Sequence, residues 1–226
     1  MTTTAFATQL IAACAGVLLA TCVLLVWRRG LRSAVGLVAA QGAAQAGIVV
    51  GTGLLTDETE LFVVAGLVLV LKALVVPAVL DRGVRRGGAD RDEQAALNPT
   101  AGLIFVALAA VLAYLVSRPV VEALTASPHE HVPAAASMPV ALTMVLVGFL
   151  LLVTRRRAVS QLVGFMTLDN GIATAAFTTA AGVPLLVELG TSFELLLVVL
   201  ILVVLTGRIR ALSGAGALDR MRELRD

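Results

Sequence analysis

The chain has 226 residues, of which 59% are hydrophobic and only 14% charged, and its mean hydropathy is +0.98. That leaves too little polar surface for a soluble globule and predicts an integral membrane protein. The formal net charge is +2; because the basic residues flank apolar runs and form no soluble basic face, nucleic acid is excluded as a partner.

Crossing ~30 Å of hydrocarbon takes about 20 helical residues. Seven segments meet this length in chain order: 5–27, 34–55, 61–80, 101–117, 138–153, 159–179 and 185–206. The expected fold class is therefore an all-α integral membrane protein with seven transmembrane helices in a single membrane domain over 1–226. The first segment has no basic residue before it, and Arg28, Arg29 and Arg32 follow it, which is the pattern of a retained helix and not of a cleaved signal peptide. Cys14 and Cys22 lie within this one apolar run and are expected to pack between helices, without a disulfide framework.

The second segment carries a small-residue stripe, Gly36, Ala40, Ala43, Gly47 and Gly51, with Gln41 and Gln45 stacked one turn apart beside it. Such a stripe is the usual mark of a close helix contact, and the glutamines are candidates for a hydrogen-bonded wire. The third segment holds Lys72 near its middle and Pro77 five residues on. The proline removes an amide donor and frees the carbonyl of Ala73, predicting a kink beside the lysine. A charged cytoplasmic loop is expected over 81–100. An outer loop is expected over 118–137, where Pro119, Pro128 and Pro133 accompany His129, Glu130 and His131. The isolated His-x-His pair is too sparse for a metal site. In the sixth segment Gly164 and Gly171 bracket Asp169, with Asn170 beside it and Thr174 and Thr178 continuing at spacing four. In the seventh, Gly190, Thr191 and Ser192 precede Glu194, and Glu188 lies one to two turns before it.

Orientation follows from the bias of basic residues toward the cytoplasm. With seven spans and the N-terminus outside, arginines 28, 29, 32, 82, 85, 86, 91, 155, 156, 157, 208, 210, 220, 222 and 225 all fall inside, with the C-terminus. Only Arg118 is left outside and Lys72 buried. A weak internal echo accompanies this pattern at an offset of 128 residues: Arg28-Arg29 aligns with Arg156-Arg157, Val35-Gly36 with Val163-Gly164, and Glu60-Leu61 with Glu188-Leu189. It is the trace expected of a three-helix repeat covering 5–80 and 134–207. The titratable positions do not repeat, for Gln41 stands opposite Asp169 and Gly66 opposite Glu194.

Lys72, Asp169 and Glu194 are the ionisable residues that interrupt apolar runs near their centres. At about 1.5 Å of rise per residue each lies roughly 13–17 Å from a membrane edge, in one layer near the midplane. An ionised group there costs roughly 2.5–3.5 kcal/mol on insertion scales, so such residues face the protein interior and serve a function. Two readings stay open: a proton or ion pathway, and a buried pair that only fastens helices together. No phosphate loop, nucleophile elbow or CxxC pair is present, so no catalytic site is expected in the chain itself.

Three stretches resemble the hydrogenase-4 component E family: Leu71-Lys72-Ala73-Leu74-Val75-Val76-Pro77, the run from Gln161 to Gly171 that includes Leu168-Asp169-Asn170-Gly171, and Val187-Glu188-Leu189-Gly190 through Glu194. The resemblance covers nearly the whole chain in order. It implies a multi-pass subunit in the cell inner (cytoplasmic) membrane, belonging to a formate hydrogenlyase-type group 4 hydrogenase or another complex I-like assembly. Its last three helices would be similar to the small K subunit of complex I, and its partners would be antiporter-like and other membrane subunits in the lipid bilayer. It further implies a proton (or sodium) pathway through Lys72, Asp169, Glu194 and Glu188, supported by Gln41, Gln45 and Asn170. The family often carries glutamate where this chain has Asp169, one methylene shorter. With no cysteine set for an iron–sulfur or nickel–iron site, no cofactor is expected in this chain; the redox chemistry of the oxidoreductase complex would reside in its partners. A structural scaffold without ion conduction and a stand-alone secondary transporter are the alternatives.

Overall fold

A computed structural model describes residues 2–28, 30–86, 97–126 and 135–179. Every regular element among them is a helix: α1 (Thr2–Trp27), α2 (Leu31–Thr56), α3 (Thr59–Val68), a π-helical segment (Leu69–Val75), α4 (Val76–Arg86), α5 (Pro99–Ala126), α6 (Met138–Thr154) and α7 (Ala158–Thr179). Among the described residues four helices are long and apolar enough to cross a bilayer, Thr3–Trp27, Leu31–Thr56, Thr59–Arg85 and Pro99–Glu122, and Met138–Thr154 is a shorter apolar helix. The predicted segments from 5–27 to 159–179 are thus all helical. The segment 185–206, with Glu188 and Glu194, lies outside the described residues, as do His129 and His131.

Two expected loops begin later than the sequence indicated. The helix that follows Lys72 continues to Arg86, because Arg85 Nε reaches Asp81 Oδ2 at 2.7 Å on an exposed face and an i,i+4 pair of this kind carries a helix past its apolar part. Helix α5 runs through Pro119 to Ala126, so residues 118–126, expected as loop, are helical. Arg118 Nη2 lies 3.7 Å from Glu122 Oε1 across the proline, again an i,i+4 pair.

Helix α2 is the hub, packing against α1, α3, the π-helical segment, α4 and α7. In a membrane such association rests on close backbone approach more than on hydrophobic burial, and the glycines show where it happens. A Cβ on Gly47 would come within 2.5 Å of Cys14 Sγ, and one on Gly51 within 2.6 Å of Ile11 Cγ1, so the C-terminal half of the predicted stripe seats α1. Gly36 has nothing within 4 Å and takes no part. Helices α6 and α7 interlock in the same way: a Cβ on Gly148, Gly164 or Gly171 would reach 2.5–2.9 Å from backbone atoms of the facing helix. The apolar core joins Leu18, Val38, Leu80, Met144, Val147 and Met166 from five helices. Helix α5 stands at the edge, with Val106, Ala109 and Ala113 turned inward and Ile104, Leu108, Val111 and Leu115 exposed, as suits a lipid-facing stripe.

Candidate functional site

The π-helical segment sets the position of Lys72. Its wide turns, in which the amide of Val76 bonds the carbonyl of Leu71, end where Pro77 supplies no amide at all. The sequence predicted a kink here; the structure answers the missing donor with a run of i→i+5 bonds, a geometry that recurs at functional sites. Lys72 sits in the middle of that run and is buried. Helix α2 meets it at Gly42, where a Cβ would fall 2.6 Å from the carbonyl carbon of Lys72 and 2.8 Å from its oxygen. Only a glycine permits this approach, and the sequence reading passed over it in favour of the neighbouring stripe.

Helix α7 carries the counter-charge. Lys72 Nζ lies 2.9 Å from Asp169 Oδ2, with the lysine side chain 2% exposed and the aspartate 23%. The two residues predicted to share one layer therefore form an ion pair between the third span and α7, sealed on the lysine side and open at one edge on the acid side. Next to it, Asn170 Nδ2 donates to Gln41 Oε1 at 3.3 Å, and Gln41 Nε2 faces Cys22 Sγ at 3.9 Å. Gln41, Gln45 and Asn170 are all buried, so the three polar residues singled out from the sequence do lie inside the bundle. Cys22, expected only to pack, also receives the glutamine amide.

Gln45 differs from Gln41. Its Oε1 and Nε2 are both buried with no hydrogen-bond partner, although an unpaired buried amide costs about 1–3 kcal/mol per group. It follows Gly42 by three residues, hence on the same side of α2. Thr167 and Thr174 bond back to Val163 and Asn170 within their own helix, which leaves their oxygens able to accept. Buried amides, hydroxyls and an ion pair thus concentrate where α2, the π-helical segment and α7 meet. Such an array can hold water and pass protons, and can equally fasten helices.

A protein of Mycobacterium tuberculosis, "Uncharacterized protein Rv0085", is 42% identical over 213 residues, covering 94% of each chain. The chain belongs to the Rv0085 family. A more distant similarity, 23% identity over 215 residues, links this member of the family to hydrogenase-4 component E of Escherichia coli K12 and of Shigella flexneri, covering 93% of the chain and 95% of each relative. No family model matches the chain, and no solved structure matches it.

Proposed function

We propose that this chain is a non-catalytic membrane subunit of a hydrogenase-like or complex I-like redox complex, and that it carries protons (or sodium) through a pathway in which Lys72 and Asp169 are the central charges. Gln41, Gln45 and Asn170 line it in this reading, and Glu194 and Glu188 extend it beyond the described residues. The complex would sit in the cell inner membrane with antiporter-like subunits as neighbours. The distant likeness to hydrogenase-4 component E supports the kind of complex. The observation that carries the pathway is the 2.9 Å Lys72–Asp169 pair, near the midpoints of the apolar helix Thr59–Arg85 and of α7, flanked by buried amides. A pair that served stability alone would gain little from this placement, since well-packed apolar replacements are often neutral or better.

The test is proton uptake by vesicles containing the assembled complex. Asp169→Asn keeps the shape of the side chain and removes its charge, and is expected to abolish most proton movement while the complex still assembles. The scaffold reading takes the same pair as a fastener between α7 and the third span; unchanged proton movement in an assembled Asp169→Asn complex would establish it and end the pathway proposal.

A further inference from the structure

The direction of the Gln45 side chain is fixed by its neighbours on α2. Gly42 lies against the backbone of Lys72, and Gln41 faces Asn170 of α7. At 3.6 residues per turn, residue 45 projects between the directions of residues 41 and 42, so its amide points into the groove between the third span and α7, where the ion pair lies. Its height is fixed as well. A Cβ on Gly53 would lie 3.1 Å from Leu61 Cβ, and one on Gly42 lies 2.6 Å from the carbonyl carbon of Lys72. This antiparallel register brings Gln45 level with Leu69, one turn before Lys72. Helical side chains lean toward the N-terminus of their own helix, and the lysine stem therefore rises toward that level. Beyond it Val49, Val64, Val68 and Phe177 close the groove with apolar side chains. Gln45 is fully buried, and neither Oε1 nor Nε2 has a hydrogen-bond partner or a surface that water could touch. A buried amide with both ends unmatched is rare in native structures and calls for an explanation.

We propose that Gln45 is the second seat of the Lys72 ammonium. With Asp169 ionised, Nζ stays 2.9 Å from Oδ2 and the amide is unused. When the carboxylate takes up a proton, the charge that held the lysine is gone, while the ammonium keeps its own charge and its N–H donors. Nζ then swings to Oε1 of Gln45, an acceptor in the same groove that no other group engages. The proton resides on Asp169 throughout; none passes to the amide, which does not titrate. Its departure restores the carboxylate charge and draws the lysine back, so the two arrangements form a two-state element set by one proton. The bland reading is that Gln45 only fills space. A methionine or leucine fills the same space without stranding two polar atoms, so packing gives no reason for a glutamine. For its use this switch rests on the proton reading of the pair; its test does not.

The purified full chain is carried through a cycle of Gln45→Met and Asp169→Asn, with thermal unfolding in detergent as the readout. Asp169→Asn is the closest mimic of the protonated acid. In the otherwise unchanged chain, Gln45→Met removes an unused amide and is expected to leave the midpoint unchanged or higher. In the Asp169→Asn background it removes the seat to which the ammonium has moved, and the midpoint is expected to fall by roughly 3 °C or more. An idle amide gives no fall in either background, and a purely structural one gives a fall in both. Equal effects of Gln45→Met in the two backgrounds would therefore overturn the proposal. A second measurement keeps Asp169 in place. Gln45→Glu sets a carboxylate at the second seat, which is expected to draw Lys72 away and leave Asp169 protonated. Labelling of Asp169 by a lipid-soluble carbodiimide, mapped by peptide mass, should then be severalfold faster than in the unaltered chain. An unchanged rate in the folded variant overturns the proposal too. Failure of the proton reading is separate: it shows in proton movement by the assembled Asp169→Asn complex and leaves the reversal of sign standing.

Discussion

At the scale of single residues, the ion pair is unequal. Lys72 is enclosed, whereas Asp169 keeps an open edge, so removing one partner has a different consequence from removing the other. Lys72→Met strands a carboxylate that can still turn outward. Its cost should fall toward the lower end of the ~3–5 kcal/mol typical of breaking a buried pair, read as a lower thermal midpoint in detergent. Asp169→Leu takes the Asp169 contact from an ammonium that is enclosed, and should cost at least as much. The double variant Lys72→Met/Asp169→Leu is expected to recover most of the stability while proton movement stays lost. Recovery of both together would assign the pair to fastening alone. The residues that make this layer were readable because a charge or amide inside an apolar run is conspicuous. Gly42 was not, since nothing in its neighbours distinguishes it from the other small residues of the second span, and its role depends on a helix thirty residues away.

At the scale of elements, α7 is positioned by α6, and the position of Asp169 follows from glycine contacts on both sides of it. A Cβ on Gly171 would lie 2.8 Å from the carbonyl oxygen of Ala141, and one on Gly164 would lie 2.9 Å from the amide of Leu152. Gly171→Val should therefore force the two helices apart, at a cost of about 1–3 kcal/mol or more. It should also lower proton movement by pulling the carboxylate from the lysine, whereas Gly36→Val, which meets open space, should be silent in both measurements. The helices themselves were legible from apolar run length. The π-helical segment was only half legible: Pro77 announces a missing donor, but whether the chain bends or widens its turns depends on what packs against it, and that is Gly42 of α2. The ends of α4 and α5 were less legible, since proline and charge mark stops in a sequence, whereas both helices run on past the apolar region with an i,i+4 ion pair on each extension.

At the scale of the whole molecule, two helical hairpins, α1–α2 and α6–α7, are tied at one end by Arg155 and in the middle by the contact of Gln41 with Asn170. Arg155 closes the C-terminal end of α1 with a charged donor, an arrangement that favours both the unpaired carbonyls and the helix dipole. Arg155→Gln should lower stability by about 1.5–3 kcal/mol, the range for hydrogen bonds to charged groups, measured by thermal unfolding, while leaving the midplane chemistry intact. The uneven burial of Lys72 and Asp169 finally gives the molecule a chemical front and back. A lipid-soluble carbodiimide should label Asp169, and amine-directed reagents should leave Lys72 unmodified in the folded protein. Repeating the labelling in the assembled complex would then map the neighbourhood: an aspartate that becomes shielded lies against another subunit, and one that stays reactive looks out on lipid.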